Sequence, residues 1–159
     1  MTTVALHLSP GTSIADAVAL AQRAEAVGVD AVYGIEGVND VFVPMAAIAA
    51  ATTTIGIGTY VANAYARTPQ AAAFAALNLD ELSGGRFTFG IGAGNRHVNE
   101  WVFGLDSSKP MAKMRDYLAV VDALLTGDVH AGDQAAEQRE HEPDRNRRER
   151  GGCGASADH

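Results

Sequence analysis

Cysteine is nearly absent. Cys153 stands alone, and one thiol cannot close an internal disulfide, which removes the small cross-linked secreted folds. A reduced, cytoplasmic protein is the expectation. No apolar run approaches the ~20 residues that a membrane-spanning helix needs. The opening MTTVALHLSPGTS has neither the basic start nor the long apolar stretch of a secretion signal. Positive charge is in deficit: 12 Lys and Arg face 19 Asp and Glu, for a net charge of −7. Neither nucleic acid nor membrane is therefore an expected partner.

Large apolar residues vanish altogether from 130–159, which holds no Ile, Leu, Val, Met, Phe, Tyr or Trp. Such a stretch cannot bury enough surface to offset the entropy of ordering it. Residues 129–159 are thus expected to form a polar, disordered tail, weakly helical at most around Gln134 to Glu142. Five of the chain's 10 arginines fall there, but acids balance them. His130, His141 and His159 match no metal-ligand spacing, and no metal site is expected.

What remains, residues 1–128, is enough for one domain with a real core. Val4, Leu6 and Leu8 alternate with small or polar neighbours and predict a strand over 3–8. Ser13 with Asp16 predicts a capped helix whose stripe is Ile14, Ala17, Val18, Ala21 and Ala24, stopped by Gly28. VDAVYGI (29–35) predicts strand two, and Pro44 sits in the first turn of a short helix ending near Ala51. TIGIGTYV (54–61) predicts strand three, followed by a loop from Ala62 to Arg67. Thr68 and Pro69 open a third helix with Ala73, Leu77 and Leu82 inward. Gly84-Gly85 ends it, and Arg86 starts strand four, FTFGIG. Ser107 or Ser108 then caps a fourth helix with Pro110 just inside, a stripe of Met111, Met114, Leu118, Val121 and Leu125, and a stop at Gly127. Four βα units at intervals of roughly 25 to 35 residues suit parallel pairing. A (β/α)₈ barrel needs about 250 residues, so the expected fold is α/β, the N-terminal half of a TIM barrel. An open doubly wound sheet competes, but nothing after strand one resembles a phosphate-binding turn, and GIGAG is no GxGxxG fingerprint because Asn95-Arg96-His97 follows it.

Several of these stretches resemble the luciferase-like monooxygenase superfamily, flavin- or deazaflavin-dependent oxidoreductases on a TIM barrel. Gly28-Val29-Asp30-Ala31-Val32-Tyr33 resembles the family's GxDxxW strand two. AAIAAAT (46–52) with IGIGT (55–59) resembles its AAIAAAT…IxLGT segment, and LDELSGGRF (79–87) its LDxLSGGRF signature. Lys109-Pro110 with Met114-Arg115-Asp116-Tyr117 resembles its KPxxRMREY helix start. The likeness runs from about residue 3 to 127.

The resemblance implies a cofactor, FMN or coenzyme F420, at the C-terminal ends of the strands, and a small organic substrate. Its members hold the ring against a bulge after strand three, often with a non-proline cis peptide, which falls here at Thr59-Tyr60-Val61. Thr59, Tyr60, Val61, Asn63, Gly92 and Gly94 are the implied cofactor contacts. Glu36-Gly37 stands where many deazaflavin members carry Asp-His, so the sugar-phosphate dehydrogenase chemistry that uses that histidine is not expected. Gly92-Ala93 stands where bacterial luciferase has Cys-Arg. Glu36 and Glu100 are the candidate catalytic acids, Glu100 with the raised pKa of a carboxyl buried at the barrel mouth, and His7 a candidate substrate contact.

Each has a structural alternative: Glu36 a solvated loop carboxylate, Glu100 the start of a short helix burying Trp101 and Phe103, His7 a satisfied interior histidine. Asn63 could equally hold a turn, and the two glycines could serve packing alone. Three functional readings stand together. The first is an active flavin or F420 oxidoreductase. The second is an inactive truncated or frameshifted member, since the loops after strands seven and eight that commonly grip phosphate would be missing. The third is a half-barrel subunit that oligomerises through its open edges.

Overall fold

A computed structural model of the chain describes residues 3–37 and 39–127; the expected tail lies outside the described residues. The strands are β1 (Ala5–His7), β2 (Ala31–Gly34), β3 (Gly56–Thr59), β4 (Ala62–Asn63), β5 (Phe87–Thr88) and β6 (Ile91–Gly92). The helices are α1 (Ile14–Ala26), α2 (Phe42–Ala51), α3 (Pro69–Ser83) and α4 (Pro110–Thr126), with a π-helical turn at Val98–Val102. β1, β2, β3 and β5 form one parallel sheet in sequential order, with Val32 opposite Leu6 and Ile57, and Ile57 opposite Phe87. Each helix packs on the next. A doubly wound sheet reverses its strand order and carries helices on both faces; neither feature occurs among the described residues.

Alternation decides which face is which. Leu6, Leu8, Val32, Ile57 and Phe87 point to the helices, where Ala17, Ala21, Ala24, Met45, Ile48 and Leu79 meet them in one core. The alternate positions, His7, Tyr33 and Thr88, lie on the opposite face, half-buried or exposed. Alanine along α1 lets α2 approach closely, and α2 sits between α1 and α3, which is why it is apolar on most sides.

Most expected boundaries hold. Ser13 Oγ accepts the Asp16 N–H at 3.1 Å, and Thr68 Oγ1 accepts that of Ala71 at 3.2 Å. Gly84 ends α3 at φ +66°, a left-handed conformation that costs glycine nothing.

Four details differ from expectation. α3 buries Ala72, Ala73, Ala76, Leu79 and Ser83, while Leu77 and Leu82 are exposed, Leu77 because it borders an open groove with Phe87, Phe89 and Leu125. On α4, Tyr117 and Val121 are buried, whereas Met111, Leu118 and Leu125 are exposed. No side chain caps α4: Lys109 occupies the cap position, and Ser107 is bonded to Glu100 instead. The expected loop after β3 contains β4, which pairs in parallel with β6.

Arg86 explains the corner that joins these elements. Its Nε donates to Ser83 O at 2.7 Å, Nη1 to Ile55 O at 2.7 Å, and Nη2 to Ala49 O and Thr52 O at 3.1 and 3.0 Å. One guanidinium thus satisfies the carbonyls at the end of α2 and ties them to the end of α3.

Candidate active site at the strand ends

The site begins where β3 breaks. The Tyr60–Val61 peptide is cis, at the position the resemblance implied, and Tyr60 is 66% exposed. Tyr60 N–H donates to Gly34 O at 2.6 Å and Glu36 N–H donates to Val61 O at 3.1 Å. Beyond the break, the Ala62 and Ala64 N–H groups turn to Gly90 O and Gly92 O, each at 2.9 Å. Thr59 is buried beneath; its Oγ1 donates to Gly90 O at 2.6 Å and accepts the Gly90 N–H at 3.0 Å. Its hydroxyl is spent on holding β3 to the chain between β5 and β6.

Glu36 is no solvated loop carboxylate. Its side chain is 7% exposed, with Oε2 accepting the Asn63 N–H at 2.7 Å and Oε1 lying 3.6 Å from Arg67 Nη2. Arg67 also pairs with Asp40 and lies over the Phe42 ring, 4.6 Å from its centroid. Its Nε is buried without a hydrogen-bond partner. Tyr117 closes this cluster from α4, its hydroxyl donating to Thr68 O at 3.2 Å. Burial first, and then the negative charge of Glu36, push that phenol up to about 12.

Asn63 holds a turn, as one of its two readings anticipated. Its Oδ1 accepts the Tyr65 N–H at 3.0 Å, and its Nδ2 donates to Asn99 Oδ1 at 2.7 Å. Asn99, fully buried in the π-helical turn, donates in turn to Ala93 O at 2.8 Å. Gly92 and Gly94 serve this packing. A Cβ on Gly92 would stand 3.0 Å from Val61 Cγ2, and one on Gly94 2.7 Å from the Asn63 carboxamide.

Glu100 departs from expectation. Its Oε1 accepts from Arg96 Nε at 2.8 Å and from Ser107 Oγ at 2.9 Å, and these bonds hold it below the usual carboxylate range. A general acid needs the opposite shift. Nor does its turn bury Trp101, which is 78% exposed and stacks on His97.

His7 is not an interior histidine either. It is exposed on the open sheet face, its Nε2 3.3 Å from Tyr60 O and its ring edge-on to the Tyr60 ring. Tyr33, opposite His7 on the neighbouring strand, is tilted against Tyr60, the centroids 6.4 Å apart. The structure therefore gathers His7, Tyr33 and Tyr60 at the open face, with Glu36, Asn63 and Thr59 as their support. Tyr33 falls at the last position of the GxDxxW-like stretch but carries no site role in the sequence reading, and no motif marks Arg67 or Asn99.

Comparison with known proteins settles the lineage. Residues 1–149 match the sequence profile of the luciferase-like monooxygenases. The chain belongs to the luciferase-like monooxygenase family. A Mycobacterium tuberculosis protein named as a coenzyme F420-dependent oxidoreductase is 40% identical over 103 residues, 64% of this chain and 30% of that protein. Among solved structures, the coenzyme F420-dependent tetrahydromethanopterin reductase from Methanopyrus kandleri superposes with a TM-score of 0.68 at 21% identity, over 76% of this chain and 39% of that one. The oxygenating constituent of 3,6-diketocamphane monooxygenase from Pseudomonas putida, solved with FMN, gives 0.65 at 20% identity, over 75% and 38%.

Likeness at such identities speaks for the fold, and the fold of this luciferase-like domain is the N-terminal part of the family's TIM barrel. The chain spans under half the length of each of these relatives. No described helix is long and apolar enough to cross a membrane. No group of described His, Cys, Asp or Glu side chains could hold a metal ion.

Proposed function

We propose that this luciferase-like chain carries the N-terminal half of the site of a flavin- or F420-dependent oxidoreductase acting on a small organic substrate. One observation carries the reading. At the C-terminal ends of the strands, where barrel enzymes place their ligands, His7, Tyr33 and Tyr60 form an open aromatic face. The rings are tilted to one another, so a planar ring would stack on one of them, the exposed Tyr60, and meet the others edge-on. The names of the M. tuberculosis and M. kandleri relatives favour F420, and the P. putida structure favours FMN. When bound, either ring supplies the electron chemistry. The chain's part is to present Tyr60 and Val61 to one side of the ring and to keep that backbone rigid through Thr59, Asn63 and Gly92. His7, on the same face, is the substrate-side contact. No proton-transfer role is given to Glu100, whose carboxylate is held by Arg96 and Ser107.

The test is titration of the 159-residue chain with FMN and, separately, F420, following ring fluorescence. Saturable quenching by one of them, weakened in Tyr60→Ala, is the expected outcome. Unchanged fluorescence of both rings would sink the reading.

A second reading is favoured by a separate observation. The free edges of β1 and of β5–β6 remain unpaired among the described residues, and Leu118 and Leu125 line an open groove with Phe89 and Ile91. A second copy pairing its β1 with this β6 edge would continue the parallel sheet. Light scattering after size exclusion should then give a dimer, and a concentration-independent monomer refutes it.

A further inference from the structure

The residues under the open face are joined in a way that the ring-contact reading does not require. Within β4, alternate N–H groups point to opposite sides, as in any parallel strand. Ala62 and Ala64 donate toward the β6 side, to Gly90 O and Gly92 O. Asn63 must therefore donate toward the β2 side, but β2 has ended at Gly34. Glu36 takes the place of the missing strand. Its backbone N–H donates to Val61 O at 3.1 Å, and its carboxylate accepts the Asn63 N–H at 2.7 Å. A neutral backbone carbonyl would ordinarily fill this position; a carboxylate makes the bond stronger but brings a buried charge that must be compensated. Arg67 supplies the compensation at 3.6 Å. It is itself fixed by Asp40 and the Phe42 ring, at the expense of leaving its Nε unpartnered. From Asn63 the connection continues through side-chain amides, to Asn99 at 2.7 Å and from Asn99 to Ala93 O at 2.8 Å.

We infer that Glu36 is a positioning residue: with Arg67 behind it, its carboxylate clamps the 60–63 backbone in place of a sheet neighbour. Through the Asn63–Asn99 pair it fixes that backbone and the loop after β6 as one unit. The inference adds to the proposed function a reason for the acid at 36, and its relevance to a ring rests on that reading. The clamp itself does not.

The experiment is amide hydrogen exchange by NMR on the whole chain, paired with the ring titration. In Glu36→Gln the side chain keeps its shape and an acceptor oxygen but loses the charge that Arg67 faces. Exchange at Asn63 and in 93–99 should then rise about tenfold, the loss of one charge-assisted bond, with α1, β1 and β2 exchanging as in the wild type. In Glu36→Gln/Arg67→Met, where neither charge remains, most of the protection should return. Ring affinity should fall and recover in parallel.

Unchanged exchange at Asn63 in Glu36→Gln overturns the clamp, and so does a uniform rise through all elements, which would mark a general stability effect. Should Glu36→Gln not fold, Asn99→Ala leaves the ion pair intact and tests the clamp from its other end: faster exchange at Tyr65 and 93–99 supports it, wild-type exchange overturns it. If the wild type binds neither ring, the preceding functional reading fails while the exchange results still decide this one.

Discussion

Arg86→Ala should cost this protein more than any surface substitution. The side chain reaches three carbonyls from the end of α2 to the start of β3, Ala49, Thr52 and Ile55, the last at 2.7 Å, and also Ser83 O at 2.7 Å and Thr52 Oγ1 at 3.2 Å. Hydrogen bonds to a charged donor contribute about 1.5–3 kcal/mol each when buried. Arg86 is half-buried, so water can replace part of what it gives. Taking the two short bonds at about 1.5 kcal/mol each and the three longer ones together at about 1 kcal/mol sets the loss near 4 kcal/mol. With a urea slope of ~1.5 kcal/mol/M, the midpoint falls by about 2–3 M. Far-UV circular dichroism during urea unfolding reads this directly. Arg86→Lys keeps the charge but not the planar fork, and should recover about half of the loss. An Arg86→Ala midpoint within about 0.5 M of the wild type refutes the reasoning, because those carbonyls would then be as well served by water.

Two further outcomes follow from single sites. Glu25 accepts three backbone N–H groups, from Thr53, Thr54 and Ile55, and these bonds lower its pKa from 4.5 to about 2. Its folded pKa lies below the unfolded one, so its stabilisation is present above pH 4.5 and fades as pH falls toward 2. Glu25→Gln should therefore lower the urea midpoint at pH 7 and differ little from the wild type near the bottom of that window; an equal gap at both pH values contradicts it. Gly94 and Gly104 have nearly the same positive φ, +68° and +66°, but a Cβ meets Asn63 at 2.7 Å in the first and open space in the second. Alanine at Gly104 should cost about 1 kcal/mol for the backbone alone, and alanine at Gly94 a further ~1–3 kcal/mol for the overlap. Equal losses in denaturant titrations would show that Asn63 yields without resistance.

How much of this was legible in the sequence follows from where each signal resides. Caps and stops are local: Ser13, Thr68 and Gly84 act on residues within one turn, and the structure places all three as read. Strand order was legible because four βα units of similar length leave few alternatives. The inward faces of α3 and α4 were read less well. Leu77 and Leu118 are large and apolar, so they invite an inward assignment, yet the small Ala72, Ala73 and Ala76 are the buried residues of α3, Ala72 packing with Tyr117 and Val121 of α4. The β4–β6 pairing was invisible, since two residues on each strand carry no period. Asn99 and Arg67 act across 36 and 31 positions, on Asn63 and Glu36. No spacing rule reaches that far.

The most recognisable stretch and the candidate site turn out to be different parts of the molecule. In LSGGRF, Gly84 ends α3 in the left-handed region, Ser83 accepts the Arg86 N–H at 3.2 Å, and Arg86 grips the end of α2. Every one of these functions is architectural, and each needs one residue type at a set distance along the chain, which is why the stretch reads so clearly as a motif. The open face is built the other way. His7 and Tyr33 come from β1 and β2, Tyr60 directly follows β3, and they meet only because the register brings His7 opposite Tyr33 and Gly58 opposite Tyr33. Their spacing in sequence is set by the lengths of α1 and α2, not by any contact among themselves. In this chain the motif names the fold, and the register builds the site.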